Sequence, residues 1–163
     1  MVYQLAEINI ATFRVPMGDP VNADFIANLD RVNALAEAAP GFVWRLVGEG
    51  NNALEIKAFE NPNTAINMSV WTDMEALANF VYRNDGHRDI MRRRREWFDR
   101  MAFHLALWWV PAGHRPTVSE GKERLESLAR IGPSPYAFLF SKPYPAPDAA
   151  PSETDGYGRA RID

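Results

Sequence analysis

The chain has 163 residues, of which 47% are hydrophobic and 12% aromatic, so it is long enough to bury the core of one domain. Its formal net charge is −3, whereas dedicated nucleic-acid-binding proteins are usually basic, and we therefore expect no nucleic-acid partner. The absence of cysteine excludes disulfides, thiolate catalysis and zinc–sulfur sites. The sequence shows neither a signal-peptide pattern nor an apolar run of membrane-spanning length, so we expect a cytoplasmic protein with no membrane association.

Alternation of apolar and polar residues predicts strands, and apolar residues three and four positions apart predict helices. The predicted elements, in chain order, are a strand over 3–14, a helix over 22–38, a strand over 42–47, a short candidate strand over 53–59, a strand over 64–71, a helix over 73–82 capped by Thr72, a helical segment over 87–100, a strand over 104–110, a helix over 118–130 capped by Thr117 and a short candidate strand over 136–140.

The order β-α-β-β-α-β predicts an α+β fold, the ferredoxin-like split βαβ sheet with helices on one face. We expect one domain over 1–142, followed by a Pro-rich, disordered tail over 143–163. The second face of such a sheet would stay open, although the strands carry several tryptophans. An exposed aromatic face usually marks a partner surface, so we expect two sheets to pack face to face in a homodimer.

The stretch DGHRDIMRRRREWFDRM, residues 85–101, contains four consecutive arginines. On one continuous helix, the inward stripe comprises His87, Ile90, Met91, Arg94, Trp97, Phe98 and Met101. The other three arginines then point to solvent. Arg94 and His87 either make ordinary contacts at the helix edge or line a pocket bounded by Trp97 and Phe98, because a buried guanidinium requires a partner.

Polar residues also lie inside the predicted strands. The positions that share a strand face are Glu7 and Asn9 in the first strand, Asn67, Ser69 and Trp71 in the third, and His104 and Trp108 in the fourth. A face with such a mixture suits a ligand cavity that has a few orienting polar groups, and a wet dimer interface would explain the same pattern. The histidines lack HxH and HExxH spacing, so we expect no metal site.

Two long stretches, MSVWTDMEALANFVYRNDGHRDIMRRRREWF and LALWWVPAGHRPTVSEGKERLESLARIGPSPYAFLF, closely resemble a bacterial family, domain of unknown function 3291. The likeness runs over residues 3–141, and its strongest marks are Trp71, His87 and the runs 93–98 and 108–116. This family looks like part of the dimeric α/β-barrel superfamily, which includes antibiotic-biosynthesis monooxygenases, haem-degrading monooxygenases and stress-responsive barrel proteins. The resemblance implies a barrel built by a homodimer.

Two functions follow from the resemblance. The first is a cofactor-independent, monooxygenase-like enzyme that acts on an aromatic or polyketide-like substrate. Asn9, Asn67, Met91 and the aromatic residues Trp71, Trp97, Phe98 and Trp108 would then bind the substrate. His87 or His104 would move a proton, and Arg94 would stabilise an enolate or phenolate. The second is a non-catalytic, stress-associated or ligand-binding homodimer. No motif of the haem-degrading branch aligns with the sequence, so we expect no cofactor.

Overall fold

The computed structural model describes residues 1–101 and 104–148, which form one four-stranded sheet and four α-helices. The strands are β1 Tyr3–Thr12, β2 Phe42–Arg45, β3 Thr64–Trp71 and β4 Leu105–Pro111. The helices are α1 Ala23–Ala38, α2 Met74–Arg83, α3 Asp85–Arg92 and α4 Val118–Ile131. The strands lie in the order β2-β3-β1-β4, and each neighbouring pair is antiparallel. This is the ferredoxin-like arrangement, so the predicted α+β fold is confirmed.

The first face of the sheet packs against α1 and α2. Its apolar part consists of Leu5, Trp71 and Leu107 from three adjacent strands, which contact Leu77 and Phe80 of α2. All five side chains are at least nine-tenths buried. Because successive strand residues point to opposite sides, the odd-numbered residues of β1 share this face and the even-numbered residues lie on the other.

The second face is covered by α4 and by the segment between β2 and β3. Ile8, Met68 and Trp108 lie on this face, and Leu125 and Leu128 of α4 pack into the same cluster. The connecting segment adds Ala53, Ile56, Ala58 and Phe59 to the cluster. Both faces of the two central strands are therefore buried within one chain.

Helix α4 lies close to the sheet because it has a glycine at the point of approach. A Cβ atom at Gly121 would lie 2.8 Å from Ile8 Cδ1 and 3.1 Å from Met68 Sδ. The helix begins as predicted, since the Thr117 side chain accepts a hydrogen bond from the Glu120 backbone N–H at 3.1 Å. A hydrogen bond also joins the helix to the sheet, because Trp108 Nε1 of β4 donates to Glu120 Oε1 at 3.0 Å.

These contacts correct one expectation. Helices lie on both faces of the sheet, and the face on which we expected a second subunit is occupied by α4. The sequence alone does not show which face α4 covers. This helix follows the last strand, and the path of residues 112–117 decides on which side of the sheet it lies. The homodimer itself stays a prediction, and it would require a surface other than this covered face.

Several local predictions also differ from the structure. The segment 53–59 is irregular instead of a strand, and 136–140 makes only isolated bridges, of which Phe138 to Leu107 is one. Helix α2 is capped by Asp73, whose side chain accepts from the Ala76 backbone N–H at 2.8 Å, instead of by Thr72. Within the described ranges, no helix has the length and apolarity that crossing a bilayer requires.

The predicted tail over 143–163 lies mostly outside the described residues, which end at 148. Its first residues pack on the domain. The Tyr144 carbonyl accepts a hydrogen bond from Trp109 Nε1 at 2.8 Å, and the Tyr144 ring lies 5.9 Å from that of Phe138. Tyr144 therefore packs on the domain, and the tail itself stays a prediction.

We predict that Gly121→Val will destabilise the protein. The added side chain must displace the buried ends of Ile8 and Met68, and overpacking of this kind costs about 1–3 kcal/mol. The free energy of unfolding, measured by urea denaturation, checks this. The control is Glu126→Val, which places the same β-branched residue on the exposed side of α4. Equal losses in the two variants would contradict the close packing of α4 on the sheet.

Candidate functional site

A row of polar side chains crosses the first sheet face next to its apolar part. Asn9 Nδ2 donates to Glu7 Oε1 at 3.0 Å and reaches Asn67 Oδ1 on the neighbouring strand at 3.4 Å. Ser69 Oγ donates to Glu7 Oε1 at 3.2 Å and accepts from Trp71 Nε1 at 2.9 Å. The antiparallel register produces this row, because it sets Glu7 opposite Ser69 and Asn9 opposite Asn67. We call these five residues the polar row.

The polar row runs from a closed end to an open end. Glu7 and Ser69 are 5% and 6% exposed, whereas Asn9 and Asn67 are half-buried and remain accessible to solvent. Within the described residues, Asn67 Nδ2 and Asn9 Oδ1 have no hydrogen-bond partner in the protein. The open end therefore presents one free donor and one free acceptor above a buried carboxyl group.

Glu7 is held in an environment that favours its neutral form. Burial raises the pKa of Glu7 to about 7, and the hydrogen bonds from Asn9 and Ser69 offset this only in part. No ion pair joins Glu7 to a cation within the described ranges. A carboxyl group that is half-ionised near neutral pH can both accept and release a proton there.

His87 is linked to the polar row through stacked aromatic rings. Its ring lies 4.9 Å from the Phe80 ring, which stacks on Trp71 at 5.3 Å. The Val81 carbonyl accepts from His87 Nδ1 at 3.1 Å, so the ring proton is on Nδ1 and Nε2 is an acceptor. Burial lowers the pKa of His87, and the bond to Val81 opposes this shift only partly, so the surroundings favour the neutral ring.

Trp97 and Phe98 belong to a separate aromatic cluster at the far end of β1. The Phe98 ring lies 4.7 Å from Phe13 and 4.9 Å from Phe25, and Trp97 lies 5.4 Å from Phe25. Trp97 is 1% exposed. Since Phe13 follows Asn9 by four strand residues, this cluster is about 13 Å along the strand from the open end of the polar row.

The arginine run is arranged differently from its prediction. Arg94 is exposed, and Arg93 instead turns towards the protein. Arg93 contacts Glu96 Oε2 at 2.8 Å and Asp24 Oδ2 at 2.9 Å, and its guanidinium lies 4.8 Å from the centroid of the Trp97 ring. These bonds, first to Glu96 and then to Asp24, raise the pKa of Arg93.

The reason for this difference is a change of helix type. Helix α3 ends at Arg92, and residues Arg94–Glu96 form a 3₁₀ turn. A 3₁₀ turn has three residues per turn instead of 3.6, so the inward stripe that we extrapolated from His87 loses its phase after Arg92. The expected pocket around His87 and Arg94 is therefore not assembled.

The remaining predicted site residues are not gathered at one place. Trp108 is fully buried on the opposite sheet face, beneath α4, and so does not share a cavity with Trp71. His104 is exposed before β4, and Met91 is 39% exposed on α3. Of the predicted site residues, the structure brings together Asn9, Asn67 and Trp71.

Two members of the polar row were not among the predicted site residues. Glu7 and Ser69 were noted as polar strand positions, but a role for them depends on burial and on register. The available signal was an acidic residue inside an otherwise apolar strand, two positions from Asn9. The cross-strand pairing with Ser69 could not be read from local sequence.

A family model described as Domain of unknown function (DUF3291) matches residues 4–154. The chain belongs to this family. The resemblance identified from the sequence is thereby confirmed. No curated protein is recognisably similar to the chain.

Solved structures with a related backbone come from several organisms. SnoaB from Streptomyces nogalater, a cofactor-independent oxygenase, is 20% identical, with 69% of this chain and 95% of that chain covered and a TM-score of 0.44. Rv0793 from Mycobacterium tuberculosis is 13% identical, with 70% and 99% covered and a TM-score of 0.47. PA3566 from Pseudomonas aeruginosa is 13% identical, with 72% and 98% covered and a TM-score of 0.47. At these identities and scores, the likenesses do not define what this chain binds or catalyses.

We predict that Arg93→Ala will lower the melting temperature more than Arg94→Ala. Arg93 joins the segment after α3 to Asp24 of α1 and covers Trp97, whereas Arg94 is exposed. Thermal unfolding followed by circular dichroism measures both variants side by side. A larger loss for Arg94→Ala would restore the continuous-helix interpretation.

We also predict a pH-dependent effect of Glu7→Gln on stability. Because the pKa of Glu7 is about 7 when folded and 4.5 in its unperturbed state, the folded protein binds the extra proton between these values. The contribution of this proton to the free energy of unfolding is fully present below pH 4.5. It is lost as pH rises through 7, a change on the order of 3 kcal/mol.

Glutamine imitates the neutral acid, so Glu7→Gln should gain stability relative to the wild type as pH rises from 4.5 to 8. Urea denaturation at several pH values measures the difference in free energy of unfolding. The exposed Glu126→Gln serves as the matched control and should follow the wild type. A Glu7→Gln difference that does not vary with pH would show that folding does not raise the pKa of Glu7.

Proposed function

We propose that this chain binds an aromatic or polyketide-like small molecule at the open end of the polar row and acts on it as a cofactor-independent oxygenase. The observation that carries the proposal is a buried carboxyl group that shares hydrogen bonds with half-buried amides on an otherwise apolar face. Ligand sites of proteins typically combine apolar walls with a few convergent polar groups.

The chemistry of the row fits a phenol or an enolisable ketone. The free Asn67 Nδ2 donor suits an oxygen that gains negative charge, as in an enolate or a phenolate. Leu105 of β4 lies opposite Asn9 and is half-buried, so it provides apolar surface next to the open end against which an aromatic ligand can pack. An electron-rich enolate or phenolate is the form of such a molecule that reacts with molecular oxygen.

Partial burial and internal hydrogen bonds prepare the polar row for a ligand. Electrostatic interactions are stronger where water is excluded, so the half-buried Asn67 amide has more effect on a bound ligand than an amide on the open surface would have. Glu7 and Ser69 are held in place by hydrogen bonds before any ligand arrives. A site that is organised in advance spends less free energy on ordering its groups when it binds.

We predict that Asn67→Ala will weaken the binding of 2-naphthol, a polycyclic phenol, about tenfold, which is the effect of about one hydrogen bond to a partly charged group. Quenching of the naphthol fluorescence measures the dissociation constant. Asn79→Ala removes an exposed asparagine of α2 and is the matched control. Unchanged binding in Asn67→Ala, or no binding to the wild type, would contradict the proposed site.

Catalysis is distinguished from mere binding by oxygen uptake with anthrone, an enolisable polycyclic ketone, measured at an oxygen electrode. If the protein is an oxygenase, the wild type should consume oxygen faster than the Asn67→Ala variant does. Binding without oxygen uptake would favour the alternative, a non-catalytic ligand-binding protein.

A further inference from the structure

We propose that Glu7 is the proton acceptor of the polar row, and that it removes the acidic proton of a phenol or an enolisable aromatic ketone bound over Asn9 and Asn67. This inference rests on the proposed function and assigns the catalytic base within it. Neither histidine expected from the sequence to move a proton reaches Glu7, since His87 is separated from the row by Phe80 and His104 is exposed.

The hydrogen bonds identify which oxygen of Glu7 is free. Oε1 accepts from Asn9 Nδ2 at 3.0 Å and from Ser69 Oγ at 3.2 Å. Oε2 has only the longer contact from Asn9 Nδ2, at 3.4 Å. A carboxylate oxygen has two lone pairs, so Oε2 is the atom that keeps room for an incoming proton.

Ser69 is oriented so that it supports the carboxylate. Trp71 Nε1 carries a hydrogen and can only donate, so Ser69 Oγ must accept from it and direct its own hydrogen towards Glu7. The indole and the hydroxyl thus form a fixed chain of donors that ends on Oε1. This chain holds the side chain in one position while the proton arrives at Oε2.

Among residues 1–101 and 104–148, no cation forms an ion pair with Glu7. On β4 its neighbour is Leu107, and from the helices the apolar residues Leu35, Ala36, Leu77 and Phe80 pack on this face. On β2 Arg45 lies opposite Ser69, and its guanidinium binds Glu37 at 2.6 Å and Asn51 at 3.1 Å. His87 lies beyond Phe80, whose ring stacks on Trp71.

A buried carboxyl group without a cation is costly to a fold, since an uncharged side chain of similar shape would make the same bonds at lower cost. A proton acceptor needs this environment, because an unpaired carboxylate that is poorly solvated has a raised affinity for protons. The geometry therefore fits a base better than a structural residue.

The step balances in atoms and charge. For a ketone, the C–H bond next to the carbonyl breaks, and its electron pair moves to the carbonyl oxygen to form an enolate. The proton forms an O–H bond with Glu7 Oε2, and the enolate oxygen accepts a hydrogen bond from Asn67 Nδ2. No oxidant is needed for this step, so it can be measured separately from any oxygenation.

The test is the exchange of the acidic C–H hydrogens of 2-tetralone, an enolisable aromatic ketone, in D₂O without oxygen, followed by proton NMR. The wild type should accelerate exchange, with a rate that rises as pH approaches 7 and is level above it. Glu7→Gln should lose about 100-fold or more of this acceleration while it still binds 2-tetralone. Glu7→Asp, which keeps a carboxylate on a shorter side chain, should restore part of the rate.

The exposed Glu126→Gln is the matched control and should exchange 2-tetralone as the wild type does. Circular dichroism melts establish that each variant is folded. If 2-tetralone does not bind to the wild type, the proposed ligand site is wrong. If it binds equally to the wild type and to Glu7→Gln, and both exchange at the same rate, Glu7 is not the base and the binding site still stands.

Discussion

Burial of the central strands on both faces is the constraint on which the rest of this structure depends. β1 and β3 are covered by α1 and α2 on one side and by α4 with the β2–β3 segment on the other. Water is therefore excluded from the buried part of these strands, and each polar group there must find a partner inside the protein. Glu7 satisfies this requirement through Asn9 and Ser69, and the cost of its burial appears as its raised pKa.

The two faces of the sheet carry different side chains, one almost entirely apolar and the other partly polar. The α4 face carries a continuous apolar cluster in which Gly121 permits a close approach and Trp108 bonds to Glu120. The opposite face is interrupted by the polar row, and its open end is accessible to solvent. A tightly packed face supports the sheet, whereas a face with unsatisfied amide groups at its open end can exchange protein contacts for contacts with a ligand.

The covered second face bears on the homodimer that the sequence led us to expect. A barrel formed by two sheets face to face requires an open face on each subunit, and here the C-terminal helix of the same chain fills that position. Of the strand tryptophans, Trp108 lies beneath α4, whereas Trp71 and Trp109 pack on the face that α1 and α2 cover. The aromatic residues that suggested a homodimer therefore pack on elements of the same chain.

The sequence by itself determined the order of elements, the ferredoxin-like class and the family, and it singled out three members of the polar row, Asn9, Asn67 and Trp71. These follow from local periodicity and from recognisable motifs, which depend only on neighbouring residues. The tertiary structure alone decided which side α4 covers, since a helix that follows the last strand can cross to either face. It also decided the place of Arg93, because the change from α to 3₁₀ geometry shifts the phase of every later residue. The partnership of Glu7 with Ser69 required the register between strands 62 positions apart in the chain, which no local pattern encodes.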